Sequence, residues 1–241
     1  MFDYQKYAQN YDNRKDFDRY LLDFKFAMLR EWKKDLGDCL ELGCATGLMT
    51  EMLLPFCRKL DIVDASKEYI ELVRRKLKGA YPERAPDINF YNCFFEEYKP
   101  QKRYDVIILA GVLPAIDNPE QFLRHISGWF KEGGFVFITS HNAYSLHRRL
   151  GKIMGLIKDE HELSERDKKL FNHKKVYDLE SLTGDVRKAG LRILKSGGVF
   201  LKPFPNAKMM EFDEKYINAF FEISKQVDPN LLAELYIFAG K

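Results

Sequence analysis

The chain has 241 residues, 46% of them hydrophobic and 14% aromatic, which is enough apolar material for one large domain with its own core. The 39 Lys and Arg residues nearly balance the 36 Asp and Glu residues, and a net charge of +3 argues against a nucleic-acid partner and against disorder. No apolar run reaches the roughly 18 residues of a membrane span, and the polar N-terminus predicts no signal peptide. The four cysteines are far apart and lack metal-ligand spacing, so we expect reduced thiols and a cytoplasmic protein.

Apolar residues at helical spacing predict a first helix over 16–34, within an N-terminal helical cap at 1–36. Strand-like and helix-like segments then alternate along the chain. The expected strands lie at 39–42, 60–65, 88–92, 105–110 and 135–140, and the expected helices at 47–56, 66–80 and 119–132. These strands are continuous apolar runs, as burial on both faces requires. The alternation predicts an α/β fold with a doubly wound, mostly parallel sheet and helices on both faces.

The segment 141–178 interrupts this pattern, because it is polar, basic in its first half and holds four of the five histidines. We interpret it as a substrate-side insertion, a lid over the active site. A second insertion is expected at 202–230, before the last strand. The remaining predicted elements are a helix at 178–190, a strand at 191–200, a helix at 207–227 and a strand at 231–241. The chain 1–241 is thus expected to form a single domain around a seven-stranded sheet.

The most informative segment is the strand-to-helix turn at 39–47, which reads Cys-Leu-Glu-Leu-Gly-Cys-Ala-Thr-Gly. Gly43 and Gly47 permit positive φ and let a ligand approach the backbone closely. Their spacing is that of neither a dinucleotide-binding turn nor a P-loop. Glu41 would also oppose a phosphate, which binds to the N–H groups of a helix N-terminus. An acidic residue here suits a ligand with an ammonium and a sulfonium group, and S-adenosylmethionine is such a ligand.

A second acidic residue, Asp64, ends the second predicted strand, 17 residues beyond Gly47. There it is placed to accept hydrogen bonds from a ribose diol. Further segments at 93–97, 105–113 and 131–139 follow in an order and spacing that resemble the class I S-adenosylmethionine-dependent methyltransferases. The resemblance extends over about residues 38 to 140. It implies a Rossmann-like methyltransferase fold, with S-adenosyl-L-methionine as cofactor and S-adenosyl-L-homocysteine as product.

The resemblance also implies which residues bind the cofactor. Phe94 and Phe95 stand where the family closes on the adenine, and Tyr11 is placed to cap the methionine end. Taken alone, Asp64 could instead be a helix cap, and the two phenylalanines core residues. The full set of expected cofactor contacts is Tyr11, Glu41, Gly43, Cys44, Gly47, Asp64, Ala65, Ser66, Phe94, Phe95, Ala110 and Gly111.

The acceptor is expected to be a small molecule, because the motifs of base-methylating relatives are missing. In small-molecule O-methyltransferases resembling the ubiquinone type, the fourth strand ends in Gly-Val-Leu-Glu-His. Here Pro114 and Ala115 replace the Glu-His pair, so the role of that histidine does not carry over. Segments at 141–151, 172–178 and 197–206 resemble bacterial methyltransferases of polysaccharide and modified-sugar pathways. They imply a sugar or phosphate-bearing acceptor, and we expect no nucleic-acid or membrane partner.

Methylation of a hydroxyl requires a base with a pKa near neutrality. Histidine meets this requirement, and the insertion histidines are the candidates. We favour His173, in the sugar-pathway-like segment, with His141, directly after the fifth strand, as the second choice. The expected substrate-binding residues are Asn142, Arg148, Arg149 and Tyr177. No metal is expected, since Asp117 stands alone near the end of the fourth strand.

Two other functions stay open at this stage. An N-methyltransferase acting on an amino-sugar or another amine would need a base less, because a neutral amine is already nucleophilic. A non-catalytic S-adenosylmethionine-binding protein is the third reading, although both glycines and both acidic residues of the binding turn are intact. The sequence makes no prediction about the oligomeric state.

Overall fold

A seven-stranded sheet forms the centre of the computed structural model, which describes residues 12–241. Its order is β3-β2-β1-β4-β5-β7-β6, and β7 runs in the opposite direction to the other six strands. The strands are β1 (Gly37–Leu42), β2 (Cys57–Asp64), β3 (Ile88–Asn92), β4 (Tyr104–Ala110), β5 (Phe130–His141), β6 (Arg192–Val199) and β7 (Glu234–Gly240). The predicted doubly wound, mostly parallel α/β fold is therefore confirmed.

The helices cover both faces of the sheet, because successive side chains of each strand point to opposite sides. In β1, Cys39 belongs to one apolar cluster, together with Val73, and Leu40 belongs to the other, together with Leu123. This two-sided burial explains the continuous apolar runs of the strands. The helices are α1 (Asp18–Trp32), α2 (Leu48–Leu53), α3 (Lys67–Ala80), α4 (Pro119–Ile126), α5 (Leu146–Ile153), α6 (Glu165–Phe171), α7 (Leu179–Lys188), α8 (Asn206–Met209) and α9 (Glu214–Ser224).

Three predicted boundaries need correction. The helix expected over 119–132 ends at Ile126, and β5 already begins at Phe130. The helix expected over 207–227 is divided into α8 and α9, because Asp213 has an extended backbone, with ψ of 152°. The helix expected over 47–56 ends at Leu53 and continues only as a 3₁₀ turn. In each case the helical spacing of apolar residues continues in the sequence beyond the point at which the backbone leaves the helical conformation.

The insertion at 141–178 contains the short helices α5 and α6 and is fixed at both ends. Asn142 and Tyr177 form a parallel bridge that closes its base. Further in, the Lys174 N–H donates to the Pro114 carbonyl at 2.8 Å, just after β4. The insertion therefore lies against the carboxyl edge of the sheet, where ligands of such folds bind. Among residues 12–241, no helix combines the length and hydrophobicity that crossing a membrane requires.

Gly47 provides a test of this fold, since it begins α2 with φ of +85° and lies against α3. A Cβ at this position would lie 2.8 Å from Val73 Cγ2. We expect Gly47→Ala to lower the free energy of unfolding by about 1–3 kcal/mol in urea titrations, from backbone strain and this contact. Gly184→Ala is the matched control, because its Cβ meets nothing within 4 Å. Alanine there should stabilise α7 by up to about 1 kcal/mol. A Gly47→Ala variant as stable as the wild type would contradict this interpretation of the turn.

Candidate active site

A cavity of about 750 Å³ opens at the carboxyl ends of β1, β2 and β4. Strands β2 and β3 continue outward from β1 on one side, whereas β4 and β5 continue on the other. The cavity therefore lies at the point where the strand order reverses, which is the usual ligand position in open α/β sheets. Its floor is formed by residues at the ends of these three strands or directly after them, namely Gly43, Cys44, Asp64, Ala65, Ala110 and Gly111.

The turn after β1 is shaped by a close approach of the neighbouring strand end. Gly43 has φ of +86°, and a Cβ on it would lie 2.8 Å from Val112 Cγ2. The Gly43 N–H donates to the Val63 carbonyl at 2.8 Å, which ties the turn to β2. Glycine is thus required here by both backbone conformation and space.

Asp64 holds this turn and also lines the cavity. Its Oδ2 accepts from the backbone N–H of Cys44 at 3.0 Å, and its Oδ1 accepts from that of Ser66 at 2.8 Å. Burial raises the pKa of Asp64, although these N–H donors act in the opposite direction. Oδ2 also accepts from the Ala45 N–H at 3.4 Å and from the Cys44 thiol at 3.6 Å, whereas the Ser66 N–H is the one donor to Oδ1 among residues 12–241. Each carboxylate oxygen has about two acceptor positions, so Oδ1 keeps capacity for a ligand hydroxyl.

Glu41 lies beneath the turn and is not among the residues that line the cavity, so its expected contact with the ligand stays a prediction. Its side chain is 1% exposed, and its Oε2 accepts from the Thr50 hydroxyl at 2.7 Å. The buried Oε1 has no hydrogen-bond partner within residues 12–241. Burial raises the pKa of Glu41 to about 8.

Of the other expected cofactor contacts, Phe94 and Phe95 line the cavity next to the floor. Gly47 and Ser66 do not line it, and we correct both to supporting roles. Gly47 begins α2, and the Ser66 hydroxyl accepts from the Tyr69 N–H at 3.3 Å to cap α3. Tyr11 lies outside the described residues.

The cavity lining also contains His141 and His173, which come from the end of β5 and from the chain after α6. Asp167 lies between them: its Oδ1 is 3.5 Å from His141 Nδ1 and 3.4 Å from His173 Nδ1. We call these three residues the histidine cluster. Burial acts to raise the pKa of Asp167, but its interactions with both histidines outweigh this and hold the pKa well below its usual range.

A buried ion pair that also lines the cavity lies next to the histidine cluster. Lys25 Nζ lies 3.0 Å from Glu234 Oε2, and Glu234 Oε1 lies 3.4 Å from His141 Nε2. Burial alone would lower the pKa of His141, but the carboxylates of Glu234 and Asp167 raise it above its usual value. Sequence reasoning missed Lys25, Glu234 and Asp167. Two signals were available, namely a charged residue interrupting the apolar last strand, and the Ser-x-x-Asp pattern of a capping box before α6.

Two of the expected substrate-binding residues are buried structural groups and need correction. The Asn142 side-chain amide donates to the Leu232 carbonyl at 2.8 Å, and this residue is fully buried. The Tyr177 hydroxyl, also fully buried, donates to Asp185 at 2.7 Å. Neither side chain lines the cavity. Both fix the base of the insertion.

The two expected arginines, Arg148 and Arg149, are likewise not among the residues that line the cavity. The Arg148 guanidinium donates to the Glu160 carbonyl at 2.7 Å, within the insertion itself. The Arg149 guanidinium lies 5.4 Å from the centre of the Tyr144 ring. The arginines therefore organise the insertion, and their expected grip on the acceptor is corrected. Lys174, which lines the cavity, is the cation that the insertion contributes instead.

Comparisons with known proteins agree with this geometry. The profile of the family described as "Methyltransferase domain" matches residues 8–196. A malonyl-(acyl-carrier protein) O-methyltransferase of Ilyobacter polytropus is 26% identical over 203 residues, which are 83% of this chain and 69% of that protein. A second such enzyme of that organism is 27% identical over 57% of this chain and 51% of its own length. N-terminal Xaa-Pro-Lys N-methyltransferase 1 of Danio rerio is 30% identical over 50% of this chain and 54% of its own length. The chain thus spans between about half and two thirds of these relatives.

Solved structures share the fold at low sequence identity. The N-methyltransferase NodS of Bradyrhizobium japonicum, in complex with S-adenosyl-L-homocysteine, superposes with a TM-score of 0.57 at 15% identity, over 92% of this chain and 86% of NodS. An S-adenosylmethionine-dependent methyltransferase of Mesorhizobium loti gives a TM-score of 0.62 at 14% identity, over 91% of this chain and 100% of its own. These likenesses and the family match confirm the methyltransferase fold and family expected from the sequence.

Asp64→Ala tests the cofactor side of the cavity. The substitution removes the acceptor for a ribose diol and a partner of the turn, so we expect S-adenosyl-L-homocysteine to bind about 1–3 kcal/mol more weakly in titration calorimetry. Asp87→Ala is the matched control, since Asp87 precedes β3 and does not line the cavity. Unchanged affinity in a folded Asp64→Ala protein would remove Asp64 from the binding site.

The raised pKa of Glu41 leads to a separate prediction, about how the free energy of unfolding depends on pH. Its raised pKa means that folding takes up a proton between the ordinary carboxyl pKa and about 8. The stability due to this group is therefore fully present below the unfolded pKa and is lost as pH rises through about 8. We expect Glu41→Gln, relative to wild type, to gain free energy of unfolding between about pH 5 and pH 9, in urea titrations without ligand. A difference that does not vary with pH would contradict the buried, protonated carboxyl.

Proposed function

We propose that this chain, which belongs to the methyltransferase-domain family, transfers the methyl group of S-adenosyl-L-methionine to a hydroxyl oxygen of a small acceptor. One observation carries the proposal. His141 and His173 of the histidine cluster line the same cavity as the glycine-bearing turn with Asp64. The cavity lining thus combines the chemistry to hold a methyl donor with the chemistry to take a proton.

The residues present fit this cofactor. Asp64 offers a buried carboxylate for the ribose diol, and Phe94 and Phe95 offer aromatic surface for the adenine. The unpartnered Oε1 of Glu41 provides a further acceptor just behind the turn. When bound, S-adenosyl-L-methionine supplies a methyl group on a positively charged sulfur. S-adenosyl-L-homocysteine remains after transfer.

The acceptor side performs two tasks in this reaction. It orients the hydroxyl in line with the bond to be broken, which contributes several kcal/mol in well-aligned reactions. It also takes the hydroxyl proton: the new oxygen–carbon bond forms while the sulfur–carbon bond breaks, and the proton passes to an imidazole. His173 remains our first choice and His141 the second. Asp167 acts as the positioning residue, because its Oδ1 lies close to the Nδ1 atoms of both rings.

The acceptor class is part of the proposal. The sugar-pathway-like segments favour a sugar or a phosphate-bearing metabolite, and Lys174 replaces the two arginines as the cation available to it. Residues 170–174 line the cavity, so we also propose that the insertion 141–178 serves as a lid over the bound acceptor. Such a cover excludes water from the reaction.

A second candidate function is methylation of an amine. The cavity lining contains five carboxylates and two lysines. Asp18 is paired with Arg166 and Asp117 with Lys174, and the remaining excess of carboxylates favours a cationic acceptor. An amine that has lost its proton needs no further base, so the histidines would matter less. Product masses from nucleotide-sugars, phosphorylated metabolites and amines, each incubated with the methyl donor, distinguish the two functions.

His173→Ala tests the proposed role of the histidine cluster. We expect turnover of a hydroxyl acceptor to fall by about 10²–10⁴, the range for losing a general base, while S-adenosyl-L-homocysteine still binds. His161→Ala is the matched control, because His161 contacts Asp178 on the outside of the insertion and does not line the cavity. A loss below about tenfold in both His173→Ala and His141→Ala would favour the amine acceptor.

A further inference from the structure

The histidine cluster has the composition of a metal site as well as that of a base. The ligand-type atoms of His141, Asp167 and His173 all lie within 4.8 Å of one another. Asp167 and His173 are buried, whereas 41% of the His141 side chain is accessible, and both histidines line the cavity. Two imidazoles and one carboxylate therefore meet at the cavity wall.

The distances within the cluster match those between ligands of one ion better than those of hydrogen bonds. The two Nδ1···Oδ1 distances of 3.5 Å and 3.4 Å exceed the usual N–H···O range of about 2.7–3.2 Å. In a tetrahedral site with bonds of about 2.1 Å, neighbouring ligand atoms are about 3.4 Å apart. Both distances to Asp167 Oδ1 thus suit one shared ion, and the ligand atoms of the two histidines, which lie within 4.8 Å of each other, would move closer together when they bind it.

Groups next to the cluster orient these ligands in the way that metal sites require. The other oxygen of Asp167, Oδ2, accepts from the Ser164 hydroxyl at 2.6 Å, which leaves Oδ1 directed at the histidines. The other nitrogen of His141, Nε2, faces Glu234 at 3.4 Å, and Glu234 is held by Lys25. A carboxylate behind a ligating histidine is a recurrent arrangement that fixes the ring and its tautomer.

We propose that the histidine cluster binds one divalent transition-metal ion through His141, Asp167 and His173. Two nitrogen ligands favour ions such as Zn²⁺, Co²⁺, Fe²⁺ or Mn²⁺ over Mg²⁺ and Ca²⁺. Because both histidines line the cavity, an ion bound to them would be accessible from it. This inference rests on the proposed function and deepens it, because an ion there would hold the acceptor oxygen and weaken its O–H bond. It replaces the expectation of no metal, which considered only the carboxylates after β4.

The experiment measures metal binding directly and needs no acceptor. The full chain is stripped with a chelator, dialysed and titrated with Co²⁺, whose visible absorption reports nitrogen and oxygen coordination. We expect saturable binding of one Co²⁺ per chain, and a loss of that absorption in Asp167→Asn and in His173→Ala. His161→Ala is the control that should bind Co²⁺ as the wild type does. Circular dichroism and S-adenosyl-L-homocysteine binding establish that each variant is folded.

The outcomes separate this inference from the proposed function. Absence of saturable Co²⁺ binding, or equal affinity in the cluster variants and in His161→Ala, overturns the metal site. If His173→Ala then still loses turnover, the histidine acts as a base and the proposed function stands. Conversely, Co²⁺ binding that depends on Asp167 and His173 supports the metal site whichever acceptor is found. His173→Ala lowers turnover in both cases, so metal binding is the measurement that decides between them.

Discussion

The site depends on one buried carboxylate. Asp64 accepts backbone N–H groups from Cys44, in the turn after β1, and from Ser66, at the start of α3. These donors are buried, and a buried N–H without a partner would cost about 1–3 kcal/mol. The ends of β1 and β2, which form part of the cavity floor, are therefore fixed by the same carboxylate that lines the cavity. A substitution of Asp64 therefore affects both the arrangement of the strand ends and the chemistry of the cavity.

The cofactor half of the site could be predicted because it is encoded locally. A strand, a glycine-bearing turn and a helix follow one another within a few residues, and the parallel sheet then brings the ends of β1, β2 and β4 together. The sequence does not reveal which side chains of the turn face the ligand. Glu41, Gly47 and Ser66 belong to the predicted set, yet they support the turn from below or cap helices. The spacing of residues in the sequence identifies the binding turn, whereas the packing of the folded chain decides which of its side chains face the cavity.

The acceptor half depends on contacts between distant parts of the chain, and the prediction there was less complete. Lys25 and Glu234 are 209 residues apart, yet they form the ion pair next to His141. A polar, basic segment such as 141–178 gives no amphipathic pattern that would orient its side chains. Consequently Arg148 and Tyr177, chosen for their chemistry, bind groups of the protein instead. The insertion histidines were chosen by enrichment, His173 among them by its sugar-pathway-like segment and His141 by its position after the fifth strand, and both line the cavity.

The residues after β4 differ from those of the O-methyltransferases that the sequence resembles, and the insertion is attached at this point. The Glu-His pair found in resembling O-methyltransferases is replaced by Pro114 and Ala115. The insertion is fastened at this same place, because the Lys174 N–H donates to the Pro114 carbonyl at 2.8 Å. That hydrogen bond brings His173, the preceding residue, to the cavity wall beside His141. A proline cannot supply a titratable side chain, but its carbonyl anchors a segment that does. The insertion thus places an imidazole in the cavity lining, with the carboxylate of Asp167 beside it.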